Sequence, residues 1–436
     1  MGRFIVTKKI TLRTITLALS LILLAPFTNS VLAATEPEIV SEAAIVMDYE
    51  TGEIVYEKNA NEQMYLASTS KIMTSLLFAE NANKKDSIPY TEEALAQPPY
   101  TMNSEQMGPA GKSFSVGDTL SGDTCMKELL LFSGNDTAYM IADYVGGTSE
   151  KFVQMMNDKA AELGCTNTHF ENPNGLPING SDVNYSTAYE LALITKVAFE
   201  NDWIRETMQT AKTRVTLPQD TIIDLENRNT ELNKNGNIGG KTGVTDAAGT
   251  CFAGVYERDG KKYLAVTLKC DRNDNSQRFV DLNSMLDYAE KAKRTVYKKS
   301  GTKVGTAKLS YKLFKFFGPK KTIEVPITLS EDAMLYDTDT NNSEAKISYA
   351  NSKKSAWDVA SDNKVKATLS VRNYSSEIKA TADITTGKII KANLGLYITI
   401  LAVIIIIIIL VAIIIKLIKN AGNSRKKNIY GRRRRR

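Results

Sequence analysis

Between Lys391 and Lys416 lie 24 residues without a charge, among them "VIIIIIILVAIII". At 1.5 Å per residue a helix of that length runs about 36 Å, enough to cross a bilayer. A helix buried in a soluble domain normally keeps a polar face, and the centre of this run has none. The span is therefore read as a transmembrane helix over 392–415, with membrane lipid as a partner. After it, "KLIKNAGNSRKKNIYGRRRRR" carries ten Lys or Arg and no acid, the composition that stays cytoplasmic. Everything before the span is then expected outside, with 416–436 as a cytoplasmic tail.

The other end of the chain agrees. Residues 1–33 hold Arg3, Lys8, Lys9 and Arg13, then the apolar "TITLALSLILLAPF", then small residues around Ala33. That order is a secretory signal. Removing the +14 of the two ends from the total of +6 leaves −8 on residues 34–415. An acidic exported part argues against nucleic-acid binding, and anionic lipid suffices to explain the arginine tail.

Four cysteines in an exported chain permit three pairings. Cys251 and Cys270 flank a hairpin turning at "RDG", which is expected to offset them by about three positions, so free and buried thiols are the expectation. None has metal-ligand spacing, and with His169 as the single histidine neither a metal nor another cofactor is expected.

The length of the exported part suggests two domains. From 34 to 297, strand pairs at both ends ("AAIVMDY" with "IVYEKNA", "CFAGVYE" with "KKYLAVTLKC") enclose helical periodicity after Ser68, in "TCMKELLLF" and "NDTAYMIADYV", and over 149–164, 186–200 and 276–293. The fold class is α+β: one antiparallel sheet packed against a helical cluster. From 298 to 390 short alternating runs such as "TIEVPITL" and "KVKATLSVRN" predict a small all-β domain of sandwich type.

Chemistry concentrates in the first domain. Ser-x-x-Lys occurs six times, beginning at Ser68, Ser300, Ser343, Ser361, Ser376 and Ser424, so the spacing alone decides nothing. A serine nucleophile needs a base, and the single histidine lies in the turn-rich "NTHFENPNG". Lys71 is the alternative: three residues after Ser68 on one helix, it shares that residue's face. A lysine serves as base only when burial or a neighbouring cation lowers its pKa. "IGGKTGVTDAAGT" supplies the cation in Lys241 and a hydroxyl in Thr242, with Gly239, Gly240 and Gly243 allowing close approach of a strand. "LLLFSGNDTA" adds Ser133 and Asn135 where one helical run breaks and the next begins, a place where helix capping is the plainer explanation.

Together and in this order, the three motifs resemble those of the active-site serine penicillin-interactive enzymes. "YLASTSKIMT", "LLLFSGNDTA", "FENPNGLP", "NYSTAYELA" and "GGKTGVTDAAGT" are similar to the low-molecular-weight penicillin-binding proteins of the serine D-alanyl-D-alanine carboxypeptidase family, from about Glu36 to the span. The resemblance implies a penicillin-binding/serine β-lactamase-like fold and removal of the terminal D-alanine from peptidoglycan stem pentapeptides. Its partners would be a stem peptide ending in D-Ala-D-Ala and β-lactam antibiotics. It implies Ser68 as the acylated nucleophile and Lys71 as general base, with Ser133, Asn135 and Lys241 moving the proton and holding substrate. Thr242, Gly243 and Val244 would bind substrate, the backbone N–H groups of Ser68 and Val244 forming the oxyanion hole, and Arg278 would receive the terminal carboxylate. Tyr185 and Asn174 depart from the pattern, standing where relatives often carry histidine.

Two rivals remain. A class A-like β-lactamase shares the motif triplet but needs a glutamate for its deacylating water, and Glu171 is the one candidate. A non-catalytic cell-wall-binding scaffold would be the same fold with its chemistry lost.

Overall fold

The first expected hairpin forms as β1 (Ala43–Asp48) and β2 (Ile54–Lys58). A tight turn, Ala67–Ser70, then leads into α1 (Lys71–Asn81), and α2 (Asn135–Gly146), α3 (Ser149–Glu162) and α4 (Ala188–Glu200) follow. Thr148 caps α3 and Thr187 caps α4 by accepting a backbone N–H, and Gly164, at φ +77°, ends the first. The chain returns through β3 (Asn237–Thr245), β4 (Gly249–Arg258), β5 (Lys261–Cys270) and α5 (Gln277–Lys291). This computed structural model describes residues 35–98, 114–349 and 354–433, with Gln219 and 423–433 by backbone alone. The expected export signal lies outside the described residues.

The five strands make one antiparallel sheet in the order β2-β1-β5-β4-β3. Both its faces are covered, which is why β4 and β5 read as nearly unbroken apolar runs. Alternate residues divide between two cores: Ile45, Met47, Val255 and Leu264 face the helical cluster, and Val46, Tyr56, Phe252 and Ala265 face α5. The α5 stripe of Phe279, Leu282, Met285, Leu286 and Ala289 closes that second core. Each large apolar side chain so buried stabilises the fold by about 1.5–3 kcal/mol before entropy is counted.

The four cysteines are free and buried. Thr250, not Cys251, stands opposite Cys270, and the register shifts between Thr250 and Phe252, so the two thiols are not cross-strand partners, and their offset is smaller than three.

Beyond α5 a second core forms around another antiparallel sheet, built from β6 (Lys303–Lys312), β7 (Lys320–Leu329), β8 (Lys346–Ser348), β9 (Lys364–Val371) and β10 (Tyr374–Ala382) in the order β6-β7-β10-β9-β8. The predicted strands are there, and a two-stranded pair, Thr295–Lys298 with Ala333–Leu335, places Ala333 and Leu335 in the same core. Short helices, Asp339–Glu344 and Ala356–Asp362, accompany the two sheets, and β6 alternates buried and exposed residues as a strand buried on one face does. This region also covers the edge strand β2: Asn341 Nδ2 donates to the Ile54 carbonyl at 2.8 Å, and Glu53, fully buried, accepts from Arg294 Nε at 2.8 Å and from the Tyr336 N–H at 3.2 Å.

After α6 (Thr386–Ala392) comes α7 (Leu394–Arg433), whose apolar part, Leu394–Gly422, is long enough to cross a membrane and has none of its apolar window buried against the rest of the chain. The helix continues past the expected end at 415 into the basic tail.

Candidate active site

Ser68 does not sit on an α-helix but on the tight turn before it. Ala67 is held at φ +47°, a left-handed conformation that costs a residue with a Cβ energy and that clusters at functional sites. Two glycines clamp this turn. A Cβ on Gly175 would lie 1.9 Å from the Ala67 carbonyl oxygen, and one on Gly243 would lie 2.8 Å from the Leu66 oxygen and 3.1 Å from the Ser68 nitrogen. The strand β3 and the loop around Gly175 therefore approach the serine as closely as backbone allows. Asn172 and Asn184 hold that loop: Asn172 Oδ1 accepts from the Gly175 N–H at 2.6 Å, and Asn184 Nδ2 donates to Ser70 Oγ at 3.0 Å.

The turn keeps the three-residue geometry. Lys71 Nζ lies 3.0 Å from Ser68 Oγ, 2.8 Å from Asn135 Oδ1 and 2.7 Å from the Asn174 carbonyl oxygen. Asn174 meets the lysine through its backbone, which any residue supplies, so its departure from the pattern leaves this contact intact. Tyr185 pairs with Tyr65 on a two-residue strand and is not among the residues lining the cleft.

Ser133 and Asn135 come from the break between helices, as their context suggested. "ELLLF" ends a helix in one π-helical turn, Glu128–Phe132; Ser133 follows at φ +73°, and Asn135 opens α2. Such widened turns re-aim side chains and recur at functional sites. Lys241, on β3 opposite Ala253, donates to Ser133 Oγ at 2.9 Å and to the Thr242 carbonyl at 3.0 Å. Both lysines are buried, Lys71 fully. Burial above all, then the charges of Lys241 and Arg228, hold Lys71 well below the ordinary lysine range, with Asp136 pulling the other way. Burial, Arg228 and Arg278 bring Lys241 down to about 7.

A cleft of about 480 Å³ opens over these groups, lined by Ser68, Ser133, Asn135, Thr242, Gly243, Val244 and Arg278 among others. Arg278 is buried; its Nη1 donates to the Gly243 carbonyl at 3.4 Å, and its Nε has no hydrogen-bond partner among the described residues. Arg228 and Arg272 line the same cleft, so it favours an anion. Arg228 went unrecognised in the sequence, since no motif marks it. The two remaining candidates lie elsewhere: His169 Nε2 and Glu171 Oε1 meet at 2.6 Å in an exposed pair, so Glu171 has no place beside Ser68.

The arrangement thus places a serine hydroxyl on a lysine amine of lowered basicity, beside a second hydroxyl–lysine pair and a cationic wall. A family model for D-alanyl-D-alanine carboxypeptidases matches residues 30–272. The chain belongs to that family. Among its curated members, D-alanyl-D-alanine carboxypeptidase DacF of Bacillus subtilis (strain 168) is 30% identical over 324 residues, spanning 71% of this chain and 77% of its own. DacC of Escherichia coli (strain K12) is 34% identical over 246 residues, spanning 54% of this chain and 58% of its own. Of solved structures, penicillin-binding protein D2 from Listeria monocytogenes, in its cefotaxime-bound form, is 28% identical with a TM-score of 0.50 over 59% of this chain and 99% of that one. A D-alanyl-D-alanine carboxypeptidase from Mycobacterium tuberculosis H37Rv, at 23% identity and a TM-score of 0.53 over 60% of this chain and 94% of that one, shares the fold. The antiparallel sheet with its helical cluster is thus the family's peptidase fold, and this chain is a serine-type peptidase; neither rival finds support in the comparisons.

Proposed function

We propose that this D-alanyl-D-alanine carboxypeptidase cleaves the terminal D-alanine from peptidoglycan stem pentapeptides through an ester on Ser68, with Lys71 as the base. The observation that carries the reading is the set of three oxygens around Lys71 Nζ. Carbonyl oxygens only accept, so a neutral amine spends its two N–H bonds on Asn135 Oδ1 and the Asn174 oxygen. Its lone pair is then left for the one neighbour that can donate, the Ser68 hydroxyl.

In this reading Ser68 Oγ attacks the penultimate D-alanine carbonyl carbon and its proton passes to Lys71 Nζ. The oxyanion is received by the backbone N–H groups of Ser68 and Val244, a type of contact worth about 3–4 kcal/mol per donor. Collapse breaks the C–N bond; Ser133, in contact with Lys241, gives its proton to the leaving amine and is reprotonated by Lys71, which returns to the neutral amine. Water then adds to the ester, Lys71 takes its proton, and the shortened peptide leaves with Ser68 Oγ reprotonated. Asn135 and Thr242 hold the peptide, and Arg278 binds the terminal carboxylate, its free Nε–H supporting that role.

A β-lactam would acylate Ser68 in the same way. In cells α7 would cross the membrane with the basic tail inside and the peptidase outside, a reading supported by its length, its lack of charge and the Lys/Arg bias after it. The test is mass spectrometry of the protein after penicillin, together with D-alanine release from a pentapeptide. The expected result is one penicilloyl group on Ser68, and neither adduct nor D-alanine from Ser68→Ala. An adduct on another residue, or unchanged release by the variant, overturns the reading.

A further inference from the structure

The hairpin joining β6 to β7 carries "LFKFFGPK" away from the C-terminal sheet. Phe316 and Phe317, 75% and 65% exposed, are the two most exposed large apolar side chains among the described residues outside α7. The loop that presents them is built. Phe314 stacks on Phe317 at 5.0 Å, the Phe314 N–H donates to the Phe317 carbonyl at 3.1 Å, Lys312 Nζ donates to the Phe316 carbonyl at 3.1 Å, and Trp357 Nε1 donates to the Lys312 carbonyl at 2.7 Å.

This loop is also tied to the first turn of α7. Tyr397 OH donates to the Leu313 carbonyl at 2.6 Å and its ring lies 5.5 Å from that of Phe314. Just before the helix, Asn393 Nδ2 donates to Tyr311 OH at 2.7 Å and its Oδ1 accepts from Lys321 Nζ at 3.0 Å. Counting about 20 residues, the thickness of a hydrocarbon core, back from Ile415 puts the membrane boundary at about Leu396, one residue from Tyr397. The exposed phenylalanines therefore stand at interfacial depth. Lys312, Lys315, Lys320 and Lys321 flank them, with no acidic residue between Tyr311 and Ile323. Aromatic rings among lysines at the headgroup level are the chemistry of an interfacial membrane contact.

We propose that this loop is a second membrane attachment: Phe316 and Phe317 enter the headgroup–acyl boundary of the bilayer that α7 crosses, and the four lysines meet its anionic headgroups. The inference rests on reading α7 as a membrane span. Two attachments fix the tilt of the C-terminal sheet, whereas α7 alone would let it swing about the junction at Asn393.

The test uses the full chain, one copy per nanodisc of mixed phosphatidylcholine and phosphatidylglycerol, with a spin label on Phe316→Cys and, separately, on Ile405→Cys. The four native cysteines are buried and leave the introduced thiol as the reactive one. The expected result is that the label at 316 collides several-fold more with oxygen than with an aqueous nickel chelate, at a depth shallower than the label at 405. A label at 316 open to nickel, with the label at 405 deep in lipid, overturns the loop contact and leaves the span standing. Both labels open to nickel removes the span itself. A label at 316 shielded from both reagents overturns the proposal in favour of a protein contact, and Phe317→Cys repeats the measurement if Phe316→Cys fails to fold.

Discussion

Lys241 and Ser133, 108 residues apart in the chain, meet at 2.9 Å. Their hydrogen bond joins the edge strand of the central sheet to the break between two helices, and it does so with a lysine almost fully buried. That burial makes stability depend on pH. Below about pH 7 the lysine is protonated in the folded and unfolded chain alike, and the cost of burying the ammonium is fully present. Above it the folded chain gives up the proton while the unfolded one, titrating near about 10.4, keeps it, so folding gains up to about 1.4 kcal/mol per pH unit. Lys241→Met lacks this gain. The melting temperature of the wild type is expected to rise relative to the variant from neutral pH to about pH 10; a constant difference would contradict a lowered pKa.

Arg228 lowers the basicity of both lysines from the cleft wall. Removing a cation favours a charged lysine, so Arg228→Gln should raise both pKa values. The acidic limb of kcat/KM, where the base loses activity by protonation, is expected to move to higher pH. A profile that falls in height without moving would assign Arg228 to substrate binding alone.

Gly243 lets β3 pass beside the nucleophile. In Gly243→Ala the added Cβ meets the Leu66 oxygen and the Ser68 nitrogen, so the strand and its neighbour Val244 must retreat. Penicillin acylation should slow by about 10²-fold, the effect of losing an oxyanion donor, with a nearly unchanged circular dichroism spectrum. Acylation at the wild-type rate would show that the Val244 N–H is dispensable.

Arg278 is expected to read the substrate's free carboxylate. A charge-assisted hydrogen bond contributes about 1.5–3 kcal/mol, so Arg278→Leu should lower kcat/KM on a D-Ala-D-Ala peptide by about 10- to 150-fold. On the same peptide ending in an amide the two enzymes should differ little. An equal loss on both substrates would mean that Arg278 only supports β3 through the Gly243 carbonyl.

The strands and helices were legible because their signals are local: alternation in "IVYEKNA", a threonine cap before each of α3 and α4, glycine after the first. The same local signal was coarser in the C-terminal region. Alternation reports that one face of a strand is buried and not what buries it, so the shares of the two-stranded pair and of the short helix Ala356–Asp362 in that core could not be told apart beforehand. Arg228 and the Asn174 carbonyl left no trace either. One is a surface-type residue folded inward, and the other is backbone that every residue possesses.

The sequence by itself determined the uncharged span, the sheet with its helical cluster, and Ser68, Lys71, Ser133, Asn135 and Lys241 as the groups to watch, because side-chain chemistry and periodicity are written residue by residue. Only the tertiary structure decided that these groups meet. Ser-x-x-Lys occurs six times, and at Ser68 a second lysine, an asparagine and a carbonyl from the distant loop close around the pair. A lysine's basicity is set by the water it has lost and the charges beside it, and both belong to the packed chain, not to any stretch of it.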